Sequence, residues 1–195
     1  MIRAIVKFLI NIFCKIVFRV EKVGEENIHK EGAYIMCANH QSNWDPPILV
    51  ASTKRILYVM AKEELFKNNF IRWFAKKCAV FPVKRGKMDL ESMKFSLKIL
   101  KEGQILMLFP EGTRHGLEKN GKAQNGAAFL ALRTGVPVVP VGIQGKMKPF
   151  HKVKLNYGKP LDFSKYQTNK PEKELLDRVS KEIMDNIIML TKEKI

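Results

Sequence analysis

The stretch N-H-Q-S-N-W-D, residues 39–45, places an imidazole and a carboxylate five positions apart on a short connector. On one continuous helix, this spacing would set the side chains of His40 and Asp45 about 140° apart, so they can meet only across a loop that turns into a helix. In such a loop, Asp45 would hold one imidazole nitrogen, fix the tautomer and leave the second nitrogen free to accept a proton. The stretch therefore indicates either an acid–base pair or a structural contact.

The rest of the sequence offers no obvious protein nucleophile for this base. There is no G-x-S-x-G elbow, no cysteine stands in a basic, exposed context, and Ser42 is awkwardly close to His40. We therefore expect the base to act on a hydroxyl of the substrate. The other histidines, His29, His115 and His151, are scattered and lack the spacing of metal ligands, so no metal site is expected.

A second stretch, F-P-E-G-T-R at 109–114, combines a carboxylate, a glycine and a guanidinium in one turn. Gly112 lets the backbone approach a ligand, and exposed N–H groups at such a turn favour an anion. Arg114 can bind a phosphate through two hydrogen bonds, and Glu111 could hold a ligand hydroxyl or orient an arginine. The alternative is a surface turn with a salt bridge.

Short apolar runs alternate with amphipathic segments along the chain, which predicts an α/β fold with a mixed, largely parallel central sheet flanked by helices. Ligands bind such sheets beyond the carboxyl ends of strands, so the loops 39–45 and 110–116 should share one edge. Lys62 and Arg85 also follow predicted strands and are weaker candidates for an anion site. Asp45, followed by two prolines, is a candidate N-cap. Strands are expected at 33–38, 56–61, 79–83, 104–109 and 136–143, with a half-exposed strand at 152–157, and helices at 89–102, at 123–134 and from Pro171.

The composition describes one globular domain with a strong positive charge. The chain has 195 residues, 46% of them hydrophobic, and a net charge of +16. Such a charge favours a polyanionic partner, which could be nucleic acid, an anionic membrane surface or a phosphorylated substrate; the alternative is a solvated basic surface. The three cysteines are widely spaced among apolar neighbours, which indicates reduced core thiols and a location on a cytosolic face.

The N-terminus predicts a helix lying on a membrane surface. Residues 1–16 are mostly apolar with a polar residue at every fourth position, which favours an interfacial helix with its cations at the lipid headgroups over a membrane-spanning one. The alternative is a helix docked on the protein's own core. The helix is expected to end near Cys14 or Lys15, because the following residues are rich in β-branched side chains. Residues 17–195 would then form the α/β domain.

A basic segment later in the chain also favours a membrane surface as the partner. Residues 62–87 interleave eight basic residues with aromatic ones, a pattern that fits nucleic acid or anionic lipid, and the apolar N-terminus favours lipid. We therefore expect a peripheral membrane protein that binds no nucleic acid.

Together these motifs resemble the 1-acylglycerol-3-phosphate acyltransferases of the glycerolipid acyltransferase family. The block N-H-x-S-x-x-D is matched at 39–45, and the block ending in an arginine after F-P-V is matched up to Arg85. Cys78 or Ala79 stands where a glycine is often found early in that second block. F-P-E-G-T-R is present in full at 109–114, and V-P-x-x-P-V begins at Val136.

The resemblance implies a mechanism. His40 would take the proton from the free hydroxyl of lysophosphatidic acid as this hydroxyl attacks an acyl thioester, and Asp45 would orient His40 and stabilise the imidazolium. The resemblance also implies that the glycerol phosphate is bound by residues that follow the strands: Lys62, Arg85, Glu111, Gly112 and Arg114.

The acyl donor implied is acyl-ACP (acyl carrier protein) or acyl-CoA (coenzyme A), as a substrate, and no cofactor is expected. The product would be phosphatidic acid for phospholipid synthesis. Two alternatives stay open: O- or N-acyl transfer to another lysolipid acceptor, and a non-catalytic basic protein that binds lipid or nucleic acid.

Overall fold

A computed structural model describes residues 2–83, 89–114, 116 and 123–192. The helices are α1 Ile2–Val17, α2 Asp45–Ser52, α3 Asn69–Lys77, α4 Leu90–Lys101, α5 Gly126–Thr134 and α6 Lys173–Lys192. The strands are β1 Arg19–Val23, β2 Tyr34–Ala38, β3 Leu57–Lys62, β4 Val80–Val83, β5 Ile105–Leu108, β6 Val138–Gly145 and β7 Lys152–Tyr157. Short 3-10 helices span Glu25–Asn27, Glu63–Phe66 and Ser164–Tyr166.

The strands form one sheet of seven, in the order β1-β7-β6-β2-β5-β3-β4. Neighbouring strands are parallel except β6 and β7. The five strands from β6 to β4 therefore point the same way, and their carboxyl ends form a single edge. This arrangement confirms the predicted mixed, largely parallel α/β fold.

Two hydrophobic layers cover the sheet. Residues of β2 alternate between them: Met36 packs in the layer that contains Cys14 of α1 and Ile48 of α2, whereas Ile35 packs in the layer under α4, α5 and α6. All five residues of β2 are buried, as expected for a central strand covered by helices on both sides.

Strand β7 is more deeply buried than its sequence predicts. The alternating polar residues of 152–157 predict a half-exposed strand, yet every residue of β7 after Lys152 is buried. The reason is the end of helix α6, which covers this part of the sheet: the Asn156 side-chain amide donates to the Leu190 carbonyl at 2.8 Å. A polar side chain on β7 therefore meets protein where the pattern predicts water.

Helix α1 also departs from the prediction. It continues to Val17, beyond the expected end near Cys14 or Lys15, so packing against α2 outweighs the β-propensity of this segment. The Lys7 ammonium donates to the carbonyls of Lys54 and Arg55 at 2.8 and 2.9 Å, and burial lowers the pKa of Lys7. This cation contacts the protein itself, so its expected position at lipid headgroups is wrong.

The outward face of α1 is apolar. Its exposed large side chains are Ile5, Phe8, Leu9, Ile12, Phe13 and Ile16. Among the described residues, no helix combines the length and the hydrophobicity needed to cross a membrane. The helix is therefore docked on the protein by one face and presents a second apolar face outward.

Strand β4 begins after a residue in a left-handed backbone conformation. Ala79 has a φ of 60°, a region that glycine adopts at much lower cost than other residues. Of the two residues that stand where the resembled block often has glycine, Cys78 and Ala79, it is Ala79 that adopts this conformation.

Candidate active site

The connector after β2 is anchored to the neighbouring strand β6. The Asn39 side chain pairs with the backbone of Ile143 in both directions, since its amide donates to the carbonyl at 3.0 Å and its oxygen accepts from the N–H at 2.7 Å. The Gln41 side chain donates to the same carbonyl at 2.6 Å. His40 thus stands between two residues whose side chains are fixed to β6.

Asp45 brings the predicted pair together. Its carboxylate is fully buried, and its Oδ2 lies 2.8 Å from His40 Nδ1. The same oxygen accepts the backbone N–H groups of Gln41 at 2.6 Å and Ser42 at 2.8 Å. Because this oxygen acts as an acceptor for two amides, the imidazole must donate to it from Nδ1, which leaves Nε2 able to accept a proton.

The same hydrogen bonds correct the prediction that Asp45 is an N-cap. Asp45 is the first residue of α2, Trp44 occupies the cap position, and no side chain caps the helix there. The carboxylate points back to the loop amides and to His40, and therefore away from the amides of α2.

The His40 ring is partly accessible, with 11% of its side chain exposed. One face stacks on Phe109, with ring centroids 4.0 Å apart and planes inclined by 16°. Phe109 opens the F-P-E-G-T-R stretch, so the two predicted loops meet at one edge of the sheet, as expected. No role for Phe109 was predicted from the sequence, because stacking between residues on two different strands leaves no signal in local spacing.

Glu111 lies inside the protein beneath the His40 loop. Glu111 is only 5% exposed, and its Oε1 accepts the backbone N–H of His40 at 2.9 Å. Gly116 leaves room for it, because a Cβ at residue 116 would come within 2.7 Å of Glu111 Oε2. The structure thus shows Glu111 supporting His40, and its expected contact with substrate stays a prediction.

Gly112 forms the tight turn that the sequence predicts. Its φ is +66°, its N–H donates to the Phe109 carbonyl at 2.9 Å, and an added Cβ would come within 2.1 Å of the Gln124 side chain. Two residues later, Arg114 is exposed at the same edge. The turn therefore directs Glu111 inward and leaves Arg114 in solvent.

Comparison with known proteins identifies the family. A sequence model described as "Acyltransferase" matches residues 19–144, which include both loops. The chain belongs to the acyltransferase family.

Several relatives of this acyltransferase carry a more specific name. A 1-acyl-sn-glycerol-3-phosphate acyltransferase of Streptococcus pneumoniae is 33% identical over 138 residues, which cover 67% of this chain and 51% of that protein. The alignment thus spans about half the length of that relative. The protein of the same name from Bacillus subtilis is 31% identical over 175 residues, 86% of each chain.

A solved structure agrees with these alignments. The crystal structure of the 1-acyl-sn-glycerophosphate (LPA) acyltransferase of Thermotoga maritima superimposes with a TM-score of 0.71 at 28% identity. The match covers 99% of this chain and 83% of that one. The resemblance drawn from the sequence motifs is confirmed.

In this acyltransferase, Lys62 lies level with the loop that carries His40. Ile105 of β5 pairs with Tyr34 of β2 on one side and with Leu57 of β3 on the other. Lys62 lies five residues after Leu57, and Asn39 lies five residues after Tyr34. The two residues are therefore at the same height in the sheet. With β5 between them, the two strands are roughly 10 Å apart. Lys62 is exposed, and its expected role in binding stays a prediction.

Arg85 lies outside the described residues. Strand β4 ends at Val83, which pairs with Lys62 at the same edge, two positions before Arg85 in the sequence. Its role stays a prediction.

Trp44 links the His40 loop of this acyltransferase to helix α1. Its ring stacks on Phe13, with centroids 5.3 Å apart, and lies 5.6 Å from Phe18. Sequence reasoning did not find this contact, although an aromatic residue between His40 and Asp45 was a visible signal. The apolar outer face of α1 thus reaches the loop that holds His40.

Metal chemistry was not expected at this site. Within the described part of the chain, no group of three or more His, Cys, Asp and Glu side chains could hold a metal ion. The expectation of a reaction without a metal or another cofactor stays a prediction.

Proposed function

We propose that this protein is a 1-acylglycerol-3-phosphate O-acyltransferase. It transfers an acyl chain from an acyl thioester, acyl-ACP or acyl-CoA, to the free hydroxyl of lysophosphatidic acid and makes phosphatidic acid for phospholipid synthesis. The observation that carries the proposal is the 2.8 Å contact between His40 Nδ1 and Asp45 Oδ2, in a partly accessible position at the carboxyl edge of the sheet. The names of the relatives from S. pneumoniae, B. subtilis and T. maritima support it.

The acid–base step uses the free imidazole nitrogen. As the substrate hydroxyl oxygen attacks the thioester carbonyl carbon, His40 Nε2 takes its proton, and the buried Asp45 carboxylate stabilises the imidazolium. Collapse of the tetrahedral intermediate breaks the C–S bond and forms the ester. The imidazolium returns its proton to the departing thiolate, so the enzyme emerges unchanged.

Cations around this edge bind the phosphate of the acceptor. Arg114 follows β5 and Lys62 ends β3, and both are exposed to an incoming anion. Arg85 follows β4 by two positions and supplies a further guanidinium. Gly112 shapes the turn that carries Arg114.

The protein works at a membrane surface, as a peripheral protein on the cytoplasmic face. The outward face of α1 carries exposed Phe8, Leu9 and Ile16, among others, and joins the catalytic loop through Phe13 and Trp44. Burial of these side chains in the acyl boundary stabilises the attachment, and the net charge of +16 favours anionic lipid.

The test is acyl transfer by a His40→Ala variant. The protein is incubated with lysophosphatidic acid and an acyl thioester, and the release of free thiol and the formation of phosphatidic acid are followed. We expect the variant to lose transfer while it still binds vesicles. His29→Ala is the matched control, since His29 is exposed and precedes β2 at the opposite edge of the sheet.

Two results would overturn the proposal. Turnover by His40→Ala at the wild-type rate would show that His40 is not the general base. Transfer by the wild type only to acceptors without a phosphate would show that lysophosphatidic acid is not the substrate. A screen of lysolipid acceptors measured beside lysophosphatidic acid distinguishes the second case.

A further inference from the structure

The loop between β6 and β7 presents a protruding aromatic side chain that the mechanism does not use. Phe150 is 69% exposed, the largest exposed fraction among the exposed large hydrophobic residues of the described chain. Its φ of 64° places a bulky aromatic residue in the left-handed region, which such residues rarely adopt. Non-glycine residues in this region often mark functional positions.

Contacts with two other elements hold this loop in place. The Phe150 N–H donates to the carbonyl of Val17, the last residue of α1, at 2.6 Å. Met147 packs against the hydrophobic layer beneath α1 and α2. The exposed ring is thus carried on an anchored turn whose other side chains do not shield it.

The loop lies beside the catalytic edge. It leaves β6 after Gly145, and Ile143 in the same strand carries the hydrogen bonds from Asn39 and Gln41. Its bond to Val17 places it next to Ile16, an exposed residue of the outer face of α1. Phe150 and the outer face of α1 therefore adjoin on one side of the molecule, close to His40.

Positive charge surrounds the aromatic ring. Lys146 and Lys148 are exposed, and the sequence from 146 to 151 contains no acidic residue. Lys152, which follows, pairs with Glu21 on the neighbouring strand β1. An exposed aromatic side chain between cations, beside an apolar helix face, matches the chemistry of an anionic lipid interface, where the ring enters the acyl boundary and the ammonium groups meet phosphates.

We propose that the β6–β7 loop, residues 146–151, is a second membrane-insertion element that binds anionic lipid. Phe150 enters the bilayer surface beside α1, while Lys146 and Lys148 bind lipid phosphates. These two adjoining attachment points hold the carboxyl edge of the sheet toward the membrane. The orienting role rests on the proposed acyltransferase function, whereas the lipid contact of the loop does not.

The direct test places a fluorescent reporter in the loop. The full chain with Trp44→Phe, Trp73→Phe and Phe150→Trp carries a single tryptophan at the tip. Vesicles of phosphatidylcholine with 30% phosphatidylglycerol should shift its emission to the blue, and brominated acyl chains should quench it. Tyr166→Trp in the same double-Phe background is the control, because Tyr166 is exposed near Leu161, which pairs with the first residue of β6 at the opposite edge of the sheet.

Three results of this experiment would overturn the proposal. The Phe150→Trp emission could stay unchanged with vesicles, or it could change no more than that of the Tyr166→Trp control. It could also shift equally with pure phosphatidylcholine, which would show that the lysines do not bind lipid phosphates. Emission that responds to oligonucleotides but not to vesicles would replace lipid by nucleic acid and also overturn it.

A second variant tests the contribution to binding and turnover. Phe150→Asn removes the ring and keeps a residue that tolerates the left-handed backbone, so the fold should be retained. We expect about 5- to 10-fold weaker binding to anionic vesicles, since one aromatic side chain leaves the interface. Tyr166→Asn is the control and should bind as the wild type does, because this exposed aromatic residue lies near Leu161, which pairs with the first residue of β6 at the opposite edge of the sheet.

The same variants separate this proposal from the proposed function. Transfer to vesicle-borne lysophosphatidic acid should fall with binding for Phe150→Asn, while transfer to a short-chain, monomeric lysophosphatidic acid should stay at the wild-type rate. If the wild type transfers no acyl chain in either assay, the proposed function fails and the fluorescence and binding results still decide the role of the loop. Equal vesicle binding by Phe150→Asn and Tyr166→Asn contradicts the loop's role whether or not transfer occurs.

Discussion

The loops that follow β2 and β5 differ in the solvent exposure of their charged groups. In the first loop, Asp45 is fully buried and its Oδ2 accepts three hydrogen bonds, from His40, Gln41 and Ser42. In the second loop, Glu111 is buried under His40, but Arg114 stands exposed three residues later. One loop is held rigid by internal hydrogen bonds, and the other combines an internal support with a free-standing cation.

This difference separates two chemical tasks. A general base works efficiently only when its tautomer and orientation are set before the substrate arrives, because the proton must move within hydrogen-bond reach. A cation that binds a phosphate needs access to solvent, from which the anion comes, and it tolerates side-chain freedom. The comparison therefore predicts that variants in the rigid part lower kcat and that variants of the exposed cation raise KM.

The largest effect after loss of His40 itself is expected for Asp45→Asn. The amide can still accept a hydrogen bond from the imidazole, but it lacks the charge that stabilises the imidazolium, so kcat should fall by about 10²- to 10⁴-fold. Asp45 Oδ1 is buried without a hydrogen-bond partner among the described residues, so an NH₂ group at that position would cost about 1–3 kcal/mol of unfolding free energy. Steady-state kinetics and urea unfolding measure the two effects. A kcat within threefold of the wild type would show that the Asp45 charge is not needed.

A smaller effect on kcat is expected when the support beneath His40 is removed. Glu111→Ala leaves the His40 N–H without its acceptor, which should cost about 1–3 kcal/mol of stability and lower kcat by about 10- to 100-fold, because the base loses its position. Glu111→Gln keeps an acceptor of the same shape and should retain most of the activity.

The kinetic split decides between the two roles considered for Glu111. A supporting role predicts a lower kcat with KM for lysophosphatidic acid nearly unchanged, and rescue by glutamine. A direct contact with the substrate, as the family resemblance implies, predicts instead that KM rises in both variants.

The smallest effect on the protein itself is expected for Arg114→Gln. This exposed side chain contributes little to folding, so the unfolding free energy should change by less than about 0.5 kcal/mol. Loss of a charge-assisted contact to phosphate should raise KM for lysophosphatidic acid by about 10-fold with a smaller change in kcat. Arg133→Gln, on α5, removes the same charge away from the site and should leave KM unchanged. An unaltered KM for the Arg114→Gln enzyme would show that Arg114 does not bind the phosphate.

Much of the fold was predictable because its signals are local. Buried parallel strands appear as short apolar runs, and their predicted ranges agree with β2 to β6 within a few residues. The positions of His40 and Glu111 after two such strands were enough to predict a shared edge. The burial of strand β7 was harder to predict. Its polar residues Lys154 and Asn156 suggest a solvent-exposed face, but in the folded protein the end of α6 covers that face.

Helix α1 is a second case in which the sequence pattern does not predict what a face of the element contacts. Its periodicity predicts one polar and one apolar face, but not which of them meets the protein. Lys7 donates to two backbone carbonyls 47 and 48 residues away, on the protein-facing side of the helix, while Phe8, Leu9 and other apolar side chains of α1 lie outward. A residue pattern describes a helix alone and carries no record of such partners.

By itself, the sequence determined the chemical inventory of this protein: a histidine and an aspartate spaced to meet in a loop, an F-P-E-G-T-R turn, and the family to which they belong. Only the tertiary structure decided how the inventory is used. It directed Glu111 inward to His40, stacked Phe109 on the imidazole, joined Trp44 to α1 and exposed Phe150 at the carboxyl edge of the sheet. The physical reason is that residue type and short-range spacing are local properties, whereas burial and orientation arise from contacts between segments far apart in the chain.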